Sequence, residues 1–180
     1  MIQYTLTSTK KDIHEILALQ QKNLPQFISL KEQQKEGFVT VQHSFDILVK
    51  MHNAHPHIIA IHNTKIIGYA LCMLKEFKND IPILTPMFHE IEATIPSLDP
   101  AINYIVMGQI CVAKNFRKKG VFRGLYTAMR QHIPPNYNAI ITEVSLQNKH
   151  SSDAHKAIGF KVLKTYTSDS QEWELILLPC

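Results

Sequence analysis

The chain has 180 residues, a formal net charge of +4, 45% apolar residues and 19% charged ones. That suits one soluble globular domain with a substantial core, and excludes collagen-like, coiled-coil and disordered classes. No run approaches the roughly 18 apolar residues of a membrane span, and "MIQYTLTSTKKD" lacks the basic start and apolar stretch of a secretory leader, so a cytoplasmic location is expected.

Taken in chain order, Ile2–Leu6 alternates as a first strand, and Thr9 is placed to cap a helix. The apolar positions of that helix, from Ile13 through Leu24, recur at helical spacing until Pro25. "SLKEQQKEGF" predicts a surface helix or loop ended by Gly37. Ser44–Asn53 predicts an amphipathic helix with Phe45, Leu48, Val49 and His52 on one side. "HIIAIH" and "KIIGYALCML" flank Asn63-Thr64 as a hairpin. Pro82, Pro86, Pro96 and Pro100 interrupt the next stretch, which predicts one helix near Met87–Ala93 in a wall or lid outside the sheet.

"NYIVMGQICV" predicts a strong strand, and "GVFRGLYTAMRQHI" a helix stopped by Pro134-Pro135. "NAIITEVSL" follows as a strand, and "KHSSDAHKAIGF" as a helix with Gly159 just past its end. "FKVLKTYT" and "QEWELILL" close the chain as strands; Trp173, Leu175 and Leu177 alternate there as core or a homodimer contact. One mixed α/β sheet with helices on both faces fits this order.

The most loaded stretch is "VAKNFRKKGVFRG", between a strand and a helix. A helix N-terminus offers unpaired backbone N–H groups and partial positive charge, and glycine lets a ligand approach the backbone closely. Phosphate groups suit such a loop, with Arg117, Lys118, Lys119 and Arg123 adding attraction. Neither G-x-x-x-x-G-K-[ST] nor G-x-G-x-x-G is present.

Val112 followed by Arg117-x-x-Gly120-x-Phe122 resembles the acyl-CoA loop of the GNAT family (GCN5-related N-acetyltransferases), [QR]-x-x-G-x-[GA]. Phe122 departs from that pattern. Asn148, Ser151, His155, Gly159 and Phe160 match the family's second block, N-x-x-[AS]-x-x-x-[YH]-x-x-x-G-F. The resemblance implies a mixed, mostly antiparallel central sheet and transfer of an acetyl group from acetyl-CoA to a small-molecule or peptide amine. It further implies main-chain contacts from Ile110, Cys111 and Val112 to the pantetheine arm, and a pyrophosphate seat over Arg117, Lys118, Lys119, Gly120, Val121, Phe122 and Arg123. Asn148 corresponds to a pantetheine ligand and His155 to the acid that protonates the departing thiolate. An oxyanion donor falls at backbone N–H near Ile110.

The base stays open between Glu143 on the neighbouring strand and Glu90 or Glu92. Gln109 stands where a base is expected but cannot usefully accept a proton. A CoA-binding protein without transfer activity is the alternative, and nucleic acid ranks last because few aromatics interleave the cations. Cys72, Cys111 and Cys180 form no CxxC pair and Cys111 reads as a buried strand residue, so neither disulfides nor a zinc site is expected. His52, His55 and His57 lie close in sequence without a converging metal pattern.

Overall fold

Caps and turns set the element boundaries. A computed structural model describes the backbone of residues 1–180 and every side chain except that of Gln34. After β1 (Gln3–Leu6), Thr9 and Asp12 form a reciprocal capping box that starts α1 (Lys10–Gln21). Ser29 and Ser44 each accept a backbone N–H to start α2 (Leu30–Glu36) and α3 (Phe45–Ala54). Asn63 and Thr64 take φ of 47° and 63°, the left-handed pair that matches strand twist in a two-residue hairpin. They join β2 (Ile58–His62) to β3 (Lys65–Met73).

The proline-rich stretch differs from expectation. α4 (Thr85–Leu98) runs through both prolines, with Pro86 in its first turn and Pro96 near its end. Met87, Phe88, Ile91 and Ile95 bury one face of it, which outweighs the weak start and finish. It packs into the core as a wall and is not a lid. Beyond it come β4 (Tyr104–Val112), α5 (Val121–His132), β5 (Ala139–Ser145), α6 (Lys149–Ala157), β6 (Lys161–Ser168) and β7 (Gln171–Pro179).

These strands make one seven-stranded sheet, ordered β1-β2-β3-β4-β5-β7-β6. Every neighbouring pair is antiparallel except β4 with β5. One core joins α1, α3 and α4 to one face; the other joins α5 and Phe160, just past α6, to the opposite face. Leu175 and Leu177 belong to the first core and Trp173 packs against it.

Two irregularities of β4 shape the functional region. Tyr104 and Val106 face the first core, yet so do Gln109 and Cys111. Alternation allows that only if one extra residue intervenes, and the register against β3 shifts by one between Cys72–Met107 and Ala70–Ile110. A bulge at Gly108 therefore re-aims the rest of the strand. Second, β4 pairs with β5 only over Tyr104–Val106 against Ala139–Ile141. The Thr142 hydroxyl donates to Met107 O at 2.8 Å as the last tie, and the strands part beyond it.

Candidate active site

The parted strands open into a cleft of about 320 Å³. Ile110, Cys111 and Val112 form one wall, the loop and first turn of α5 the floor, and Asn148, Ser151 and Ala154 of the α6 region the other wall. Gly37, Phe38 and Val39 cover it from the α2 side.

The floor is built as the sequence suggests. Gly120 is the N-cap of α5 with φ 79°, and no side chain caps the helix. The first helical bond runs from Gly124 N–H to Gly120 O at 2.9 Å. The amides of Val121, Phe122 and Arg123 precede that bond and lie at the floor of the cleft, with the positive end of a 12-residue helix behind them. Arg130 and His132 in the last turn complement the other end of the dipole. Such a helix start gathers free backbone donors and positive potential, the chemistry that favours an anion.

The cations do less there than their number suggests. Arg117 donates Nε to Val112 O at 3.1 Å, donates an Nη2 proton to Asn23 Oδ1 at 2.5 Å, and lies 3.6 Å from Glu36. It clamps β4, α1 and α2 together. Lys119 sits over the Phe116 ring, 5.5 Å from its centre, and Arg123 donates to Ala157 O at 3.2 Å. Lys118, with φ 61°, stays on the rim. Phe122, the departure from the family pattern, packs its ring edge-on to Tyr126 and His155 at 5.3 and 5.0 Å. Its bulk is absorbed by the α5–α6 junction and its amide stays with the floor.

Asn148 caps α6, accepting from Ser151 N–H at 3.2 Å, and donates from Nδ2 to Phe38 O at 3.3 Å. It borders the cleft while already tying two segments together.

His155 is placed differently. Its ring is 2% exposed and does not border the cleft. Nδ1 donates to Ser151 O at 2.7 Å, which leaves Nε2 to accept from the Tyr126 hydroxyl at 2.8 Å. Phe122, Tyr126 and Phe160 surround it, and burial lowers its pKa to about 4. Burial favours the neutral ring near pH 7, and both nitrogens are hydrogen-bonded within the fold. In this position His155 ties α6 to α5 through Ser151 and Tyr126.

Glu143 lies past the fork on β5, outside the residues that line the cleft, on the face shared with Ile141 and Tyr166. It accepts a hydrogen bond from the Tyr166 hydroxyl. Burial pushes its pKa up to about 7 despite that bond. Glu90 and Glu92 are instead held in ion pairs with Lys164 and Lys78 at 2.5 and 2.6 Å.

Gln109 is buried in an amide chain. Its Oε1 accepts from Tyr69 at 2.6 Å and from Gln20 at 2.9 Å, and its Nε2 donates to Val41 O at 2.7 Å. Gln20 also donates to His43 Nδ1 and accepts His43 N–H, each at 2.9 Å. Cys111 lines the cleft, but burial pushes its thiol up to about 12, so it is no nucleophile at neutral pH. His57 accepts Cys72 N–H and donates to Leu48 O, which assigns that ring to the fold.

Residues 37–43 were missed as a unit. Phe38–His43, "FVTVQH", alternates in sequence, and Val39, Val41 and His43 are buried while Thr40 and Gln42 are exposed. That period of two was the available signal.

The acetyltransferase (GNAT) family model matches residues 14–160, and the chain belongs to that family. No curated protein matches it. Among solved structures it resembles the ribosomal-protein-S18-alanine N-acetyltransferase of Escherichia coli, with a TM-score of 0.65, 11% identity, and 99% and 94% of the two chains covered. An N-acetyltransferase from Staphylococcus aureus gives 0.61, 16%, and 99% and 98%. The NatC complex bound to Gag peptide and CoA gives 0.65, 14%, and 99% and 98%. These likenesses establish the fold, and the family match makes the chain an acyl-CoA-dependent acetyltransferase. No helix among the described residues is long and apolar enough to cross a membrane.

Proposed function

We propose that the protein transfers the acetyl group of acetyl-CoA to a primary amine by direct attack in a ternary complex. The carrying observation is the fork after Val106, which opens directly onto the amides at the start of α5. Backbone groups of Ile110–Val112 suit the pantetheine arm, and the amides around Gly120–Arg123 suit the pyrophosphate. Both contacts use main chain, which explains why Phe122 is tolerated and why the cations can be engaged elsewhere.

The amine must lose a proton before it attacks. Glu143 is the base in this reading: burial holds its carboxyl near 7, where a carboxylate is both available and basic enough. Tyr166 fixes that carboxylate through its hydroxyl. Backbone N–H near Ile110 stabilises the charge that develops on the thioester oxygen.

The test is a panel of primary amines with acetyl-CoA, followed by free-thiol release and mass analysis of products. Amine-dependent thiol with an added acetyl group is the expected result. Saturable CoA binding without thiol release from any amine would leave a binding protein and overturn the transfer reading.

A further inference from the structure

The segment Phe38–His43 belongs to no helix or strand, yet it behaves as an extended run. Val39 and Val41 enter the first core and His43 is 5% exposed, whereas Thr40 and Gln42 face out. In an extended chain the N–H and C=O of one residue point to one edge, and those of the next to the opposite edge. The bonds follow that rule. Val39 N–H donates to Asn23 O at 3.1 Å, Val41 O accepts from Gln109, and His43 N–H donates to Gln20. All three lie on the edge toward α1 and β4. Phe38 O, of opposite parity, is taken by Asn148 from α6.

Thr40 and Gln42 share the parity of Phe38, so their N–H and C=O line the second edge. Among the described residues nothing in the chain bonds to them. The strap is thus an extended segment whose inner edge is satisfied largely by side-chain amides and whose outer edge is open past Asn148. An open strand edge is a template for another extended backbone.

We propose that the acceptor is a peptide with a free amino end, and that it pairs as an added strand with the outer edge at Thr40 and Gln42. This rests on the acetyltransferase reading and names the substrate class for the same site. Two residues of alternating donors and acceptors match the repeat of an extended peptide, which a small amine does not carry. The direction of the strap supplies the rest: Phe38 and Val39 wall the donor cleft, so a strand paired at Thr40–Gln42 lies in line with it. Asn148 and Gln109 are positioning residues that hold the strap flat.

The test uses the full chain, acetyl-CoA and a set of short peptides with free α-amino ends that vary at the first position. Thr40→Pro and Gln42→Pro each delete one N–H from the outer edge and keep the inner-edge bonds. Each should lower kcat/KM for the peptide acetylated best by about tenfold. Thr40→Ala and Gln42→Ala, which keep the N–H, should lose clearly less than the proline variant at the same position. N-methylation of the peptide backbone should give the same loss in the wild type, a readout independent of any folding defect in the proline variants. CoA affinity should not change in any of them. Equal effects of proline and alanine together with full turnover of N-methylated peptides would overturn the proposal. So would thiol release from small amines with none from peptides. Failure of the wild type to bind CoA is a different result, and removes the acetyltransferase reading beneath it.

Discussion

Mild acid should destabilise this protein through three buried histidine rings. His43, His57 and His155 are 5%, 0% and 2% exposed, and burial lowers their pKa values to about 4, 3 and 4. In the unfolded chain each returns to about 6.5. Between those values the unfolded state binds protons that the native state refuses, so stability falls as pH drops through 6.5. From pH 7 to pH 5 each ring costs about 2 kcal/mol. Glu143 works in the other direction, because its native pKa of about 7 lies above the unfolded value and acid favours the fold. It returns about 2 kcal/mol over the same range. The net loss is about 4 kcal/mol, a large share of the roughly 5–15 kcal/mol that holds a domain together. For a chain of this length that lowers the melting midpoint by about 12 °C. Scanning calorimetry at pH 7, 6 and 5 in matched ionic strength measures it. An equal or higher midpoint at pH 5 would refute the placement of these rings as buried and neutral.

Glu143→Gln should lower kcat by about a hundredfold or more with CoA affinity unchanged, and wild-type kcat should rise with pH through about 7; an unaltered rate and profile would remove the base role. His155→Phe should keep turnover but lose about 1–3 kcal/mol, because the Tyr126 hydroxyl is left buried without its partner. A large fall in kcat at unchanged stability would return the acid role to the ring. Gly124→Ala places a Cβ 2.2 Å from the Tyr4 ring and should cost about 1–3 kcal/mol in a denaturant titration. In a Tyr4→Ala background that cost should vanish, and a persistent penalty would place the strain elsewhere.

Much of the fold was legible because it rests on local rules. Thr9 stands where a helix cap was needed, Asn63-Thr64 closes the hairpin, and Gly120 takes the left-handed turn into α5. α4 was read too short because its prolines act locally while the burial of Met87, Phe88, Ile91 and Ile95 is tertiary. In the site, the cleft wall at Ile110–Val112, the α5 amides and Asn148 came from motif spacing. The burial of the His155 ring did not, since spacing places a residue on a helix without saying which side faces the cleft. The inward turn of the Arg117 guanidinium to Asn23 and Glu36 was hidden for the same reason, since both partners lie far away in sequence. The Gly108 bulge and the parting of β4 from β5 are set by pairing between strands, which no single segment records.

Calorimetric titration of the full chain with CoA tests the cleft most directly. A single saturable event of one CoA per chain is expected, lost on Gly120→Pro, which fits neither the left-handed turn nor the close approach of a ligand at the start of α5. A folded wild-type protein that gives no binding heat at millimolar CoA would contradict it.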